Sequence, residues 1–298
     1  MADLWGPVNG IYTAATPLLP WLDSLPRIDA IELGGALISA GFGAGFGAWM
    51  AGRIARNTKL RDELLVELRS ADVALTLCAS IMDVAGAFKK QHVLIVQNKH
   101  KSDLEQFKKH QKANVQGEPF ILKMDHLKFQ LIKPPVAELR IMVLKEVSVS
   151  PNGVKSMVAL ADAVENLNGM IVRYNDILEM FESGTLPIGF KAEHYYLALP
   201  VKGVTHNEYV SALEGIATYT DDVLFFARKL AECITLQGSK VAGRFAAVSG
   251  EARPVRKIAA LEENEGLFPL EGNYENWMKG WEEEPDNKVK KSWWRLFK

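Results

Sequence analysis

Apolar residues recur along this chain in two different patterns, and each predicts a different element. From Leu33 to Gly52 there is no charged residue, Ser39 is the single hydroxyl, and Arg53 and Arg56 close the run. A helix of that length covers roughly 30 Å, the thickness of a bilayer's hydrocarbon layer, so the run predicts a transmembrane helix over residues 31–52.

The second pattern is a seam of alternating four and three spacings. It begins with Leu64, Leu68, Ala71, Leu75, Cys78, Met82 and Ala85, then resumes out of phase at Val93, Val96, His100, Leu104 and Phe107. The phase change predicts one helix reaching about His110, with a stutter or break near Lys89 to His92. Gln111 to Pro119 reads as a loop. The stretch from Phe120 to Ile132 fits either a strand or an irregular packing segment, and Pro134-Pro135 ends it. Val136 to Val147 has helical spacing, and Pro151-Asn152-Gly153 reads as a turn.

An uninterrupted seam follows at Met157, Leu160, Val164, Leu167, Ile171, Tyr174, Leu178 and Phe181, with Ser183-Gly184 as its stop. After a loop carrying Pro187, Gly189 and Pro200, a third seam runs through Leu213, Ile216, Thr220, Val223, Ala227, Leu230 and Ile234 and extends to about Val248. The fold class expected is mainly α: a single N-terminal transmembrane helix continuing into a cytosolic long-helix bundle or coiled coil, antiparallel where loops allow. The corresponding domains are an interfacial segment over 1–30, the span over 31–52, a helical bundle over 53–250, and an acidic linker with a basic-aromatic tail over 251–298.

Two faces of the span consist of small residues. Every fourth position gives Gly35, Ser39, Gly43, Gly47 and Ala51, beside Ala36, Ala40, Ala44, Ala48 and Gly52, while Ile38, Phe42, Phe46 and Met50 form a bulky row elsewhere. Small faces let helix backbones approach closely in lipid, so the span is expected to pack on copies of itself as a homo-oligomer. Before the span Arg27 stands against Asp3, Asp23, Asp29 and Glu32, whereas Arg53, Arg56, Lys59 and Arg61 follow it. That asymmetry places the N-terminus outside and the rest in the cytoplasm, as a single-pass protein of the inner (cytoplasmic) membrane.

Beyond Gly250 the chain turns to proline, glycine and acids, and structure is not expected there. It ends with Lys288-Val-Lys-Lys-Ser-Trp-Trp-Arg-Leu-Phe-Lys298. Lys290, Lys291, Trp293, Trp294, Arg295 and Phe297 are therefore expected, with Arg53 and Arg56, to meet the membrane interface.

Composition adds bounds. The 298 residues are 48% hydrophobic and 24% charged, enough for a buried core, and a net charge of −1 offers no footprint for nucleic acid. Cys78 and Cys233 sit in apolar helical contexts and read as core thiols. No phosphate-cradling loop, metal-ligand spacing or nucleophile elbow occurs. The adjacent acid–imidazole pairs Asp125-His126 and Glu193-His194 do not point at one another along a chain, and Asp221-Asp222 reads as a solvated flank. No catalytic, cofactor or metal residues are therefore expected. The function expected is a membrane-anchored, self-associating interaction or scaffold protein with a protein partner on its cytosolic bundle. The alternative is an oligomeric pore-forming or membrane-disrupting effector gated by that bundle.

Overall fold

A computed structural model describes residues 30–113, 120–256 and 266–279, with side chains described from Gly47 onward. The chain is mainly helical, and among the described residues there is no strand, only an isolated bridge between Val201 and Val204. Two compact units divide at Lys59 and Leu60.

The first unit contains the start of α1, which runs Ala30–Phe88. Its described side chains lie at the surface, with Trp49 52% and Ile54 61% exposed. A Cβ built on Gly47 meets nothing within 4 Å. Among the described residues one helix, Gly47–Lys112, is long and apolar enough to cross a membrane by length and composition, although half of its apolar window is buried inside the protein. The predicted span over 31–52 falls within α1, and its side chains before Gly47 lie outside the described residues.

The second unit is built on the seams. α1 passes through a π-helical turn, Lys89–Val93, into α2, Leu94–Lys112. A π turn adds one residue to the helical repeat, which is how the seam ending at Ala85 and the one resuming at Val93 share a buried side. Both residues are fully buried. After α3, Val136–Lys145, comes α4, Pro151–Ser183. The turn expected at Pro151-Asn152-Gly153 is instead the first turn of α4: Ser150 caps it by accepting from the Gly153 N–H at 3.3 Å, and Pro151 sits where a missing N–H costs nothing. Gly184, at φ 67°, ends the helix in the left-handed conformation.

A short α5, Ala192–Tyr196, precedes α6, Glu208–Ser249. α4 and α6 make the most extensive helix pairing among those resolved. They run antiparallel, since Gly153 lies by Cys233, Met170 by Gly215 and Tyr174 by Tyr209. Leu64 and Leu68 of α1 join Val241 and Phe245 at one end, while His100 of α2 meets Tyr209 at the other, so α1 also opposes α6.

The segment from Phe120 to Ile132 has no regular secondary structure. Asn175 accepts from the Phe129 N–H at 2.9 Å and donates to the Phe129 carbonyl at 2.8 Å. Asn168 does the same for Ile132, at 3.0 Å each way. Two amide side chains on one face of α4 thus stand in for a neighbouring strand. The Phe129 ring stacks on Tyr174 with centroids 4.8 Å apart.

Asn168→Ala and Asn175→Ala are each expected to lower unfolding free energy by roughly 1–3 kcal/mol, because each strands a half-buried donor and acceptor. Asn175→Asp, which keeps only the acceptor, should fall between wild type and Asn175→Ala in urea titrations followed by circular dichroism.

Candidate functional site

For Gly35, Ser39 and Gly43 only the helical backbone lies within the described residues. Gly47 and Ala51 are exposed on α1. Arg53 stands over the Trp49 ring at 5.7 Å from its centroid, and Arg56 Nε donates to the Gly52 carbonyl at 3.2 Å. Lys290, Lys291, Trp293, Trp294, Arg295 and Phe297 lie outside the described residues.

The histidines of the two acid–imidazole pairs have other partners in the structure. His194 Nδ1 accepts from the Lys191 N–H at 3.0 Å, closing the first turn of α5. His126 Nδ1 lies 3.7 Å from Glu182, which also accepts from Lys128 Nζ at 2.8 Å. Among the described residues no three His, Cys, Asp or Glu side chains gather as a metal set. A cleft of about 470 Å³ lies between α1 and the segment over 120–132, lined by Phe88, His92, Phe129 and Ile132 among others.

Two polar centres went unrecognised in the sequence. The first is buried where α2, α5 and α6 meet. Asp103, 5% exposed, accepts from Lys99 Nζ at 2.6 Å and from the Tyr196 hydroxyl at 2.8 Å. His100 Nε2 lies 2.9 Å from the Tyr196 carbonyl oxygen, and Tyr174 and Tyr209 hydroxyls lie 3.5 Å apart. Burial raises the Tyr196 and Tyr209 phenols, so they stay protonated donors. With its carboxylate satisfied by a cation and a hydroxyl, this centre fixes where α2 meets α5.

The second centre overturns the solvated reading of Asp221-Asp222. Lys89, in the π turn, places Nζ 2.6 Å from Asp221 and 2.6 Å from the Leu267 carbonyl oxygen. Asp222 accepts from the Tyr274 hydroxyl at 2.8 Å. Both partners beyond α6 belong to a strap, residues 266–279, which forms a 3₁₀ turn, Glu271–Tyr274, and α7, Glu275–Lys279. Tyr274 stacks on Phe225 with centroids 3.7 Å apart, and Trp277 meets Phe226 at 4.9 Å. Glu271 accepts from Lys229 at 2.8 Å and lies 3.9 Å from Arg228, which also stands over Phe268. Leu267 presses against Gly86, where an added Cβ would come within 2.8 Å of its side chain.

The sequence signal was present. Val223 to Ala227 is apolar at five consecutive positions, wider than one seam requires, and so calls for a cover on a second side.

Charge is balanced unevenly beneath the strap. Burial pushes the Asp222 carboxyl up, against the Tyr274 hydroxyl that favours its ionised form, and neighbouring Asp221 adds to the rise. The hydrogen bond from Lys229 holds the Glu271 carboxyl below its usual range. Stability linked to Asp222 is therefore fullest below the ordinary carboxylate pKa and is lost as pH rises through its raised value. Stability linked to Glu271 is present above the ordinary value and is lost as pH falls through its lowered one.

Asp222→Asn should raise the thermal midpoint at pH 7, with the gain shrinking as pH falls toward about 4. Glu271→Gln should cost about 0.5 kcal/mol at pH 7, and that loss should vanish as pH falls through the lowered Glu271 value. A third variant follows from burial of the Cys78 thiol, which is pushed up to about 12. Its alkylation in the folded chain should be far slower than after denaturation, read by mass spectrometry of the Cys233→Ser protein.

The chain matches no known family model, no curated protein and no solved structure.

Proposed function

We propose that the chain is a membrane-anchored helical interaction protein. Its helix over 31–52 crosses the inner membrane with the N-terminus outside, and its bundle presents helix faces to a protein partner in the cytoplasm. The row of Gly35, Ser39, Gly43, Gly47 and Ala51 packs against the same row of another copy.

One observation carries the reading. α1 is helical from Ala30, and Trp49, Met50 and Ile54 stand exposed on it. Helices in water depend on burying an apolar face, and the described part of α1 before Lys59 has its large apolar side chains on the outside, unlike the buried seam that begins at Leu64. A bilayer supplies the missing apolar surroundings. The uncharged run before Trp49 supports this, as does the pairing of Trp49 with Arg53 one turn later, an amphipathic ring beside a cation at the expected headgroup level. The open space around Gly47 supports close approach of a second helix.

Alkaline extraction of membranes is expected to leave the full chain in the pellet. Phe46→Arg, which places a charge in the span at a cost of about 2.5–3.5 kcal/mol, should shift protein to the supernatant. Complete release of the wild-type chain without detergent would overturn the anchor. Gly43→Leu should leave insertion intact and reduce the oligomer to smaller species in mild detergent by light scattering.

A further inference from the structure

We infer that the α6 face between Asp221 and Lys229, completed by Gly86 and Lys89, is a recognition groove for a short apolar–acidic–aromatic segment of a partner protein. Residues 267–277 occupy it as an internal ligand, which such a segment displaces. The inference rests on the interaction role proposed above and names the surface, but it needs neither bilayer nor self-association.

Each part of the groove reads one feature of the strap. Gly86 leaves room for the Leu267 side chain, and Lys89 takes its carbonyl oxygen at 2.6 Å. Arg228 and Lys229 flank the Glu271 carboxylate. The Phe225 ring takes Tyr274 face to face, Asp222 receives its hydroxyl, and Phe226 takes Trp277. Leucine, acid, tyrosine and tryptophan are thereby held in a fixed order and spacing, as in recognition of a short peptide by anchor side chains.

The strap is held as a ligand is held. None of its described residues is buried, and its helical pieces are four and five residues long, too short to persist alone. What lies beneath belongs to the core: Phe225 is 2% exposed and Phe226 7%. A permanent cover on an aromatic floor would be most stable if apolar throughout. Here Asp221 and Asp222 are instead placed under it, and polar groups at such a contact select a matching partner at the expense of stability.

The test uses a fluorescein-labelled peptide of residues 266–279 and the full chain in mild detergent. The peptide is expected to bind a Tyr274→Ala/Trp277→Ala chain at least about tenfold more tightly than wild type, where the tethered strap competes at high effective concentration. A Glu271→Lys peptide should lose binding to that chain and regain it when Lys229→Glu is added. A readout free of variants is hydrogen exchange of the wild-type chain: excess peptide should deprotect residues 266–279 and leave α6 protected. Equal affinity for both chains, indifference to the charge swap, or a strap whose exchange does not respond to saturating peptide would overturn the inference. Exchange of straps between two copies, seen as a cross-link from the strap of one to α6 of another, would also overturn its assignment to a partner protein. None of these results bears on alkaline extraction, so the groove and the anchor fail separately.

Discussion

Between Thr220 and Ala231 α6 is buried on nearly every side, and most of the described second unit is arranged to give it neighbours. The five consecutive apolar residues Val223 to Ala227 point to more than one side of the helix and cannot all be shielded by a single packed face. α4 covers one side along its length. The Lys89 turn covers a second, and the strap covers the third with rings laid on Phe225 and Phe226. A cover of that kind is also a contact that a competing segment of like chemistry can take over.

Lys89 joins several of these requirements. The π turn that holds it reconciles two seams out of phase, and a straight α-helix through the same residues would turn either Ala85 or Val93 away from the core. The extra residue also aims the Lys89 ammonium at Asp221 and at the strap's carbonyl oxygen. Partial burial of that ion pair is offset by the close approach of opposite charges and by the Lys89 hydrogen bond to the Leu267 carbonyl oxygen.

The proposed anchor and the proposed groove rest on one principle at different places. In each, apolar side chains stand where the helix alone cannot shield them. On α6 the remedy lies within the chain. Around Trp49 and Ile54 the side chains remain exposed, and lipid is the surrounding we propose.

Local repetition was enough to determine the long helices. The seams of α1, α4 and α6 are buried almost residue for residue, Gly184 stops α4 as its position demanded, and the phase change near Lys89 is a real irregularity. These features are legible because helical period and backbone freedom act within a few residues. The choice between strand and irregular packing for Phe120 to Ile132 was not legible, since Asn168 and Asn175 declare their partners only once α4 lies beside that segment. Nor was the fate of Asp221 and Asp222, which look like any solvated acidic pair until Tyr274, 52 residues after Asp222, folds back over them. Tertiary structure alone decided which polar groups meet, because a hydrogen bond between distant residues depends on the path of the chain between them and leaves no period in the sequence.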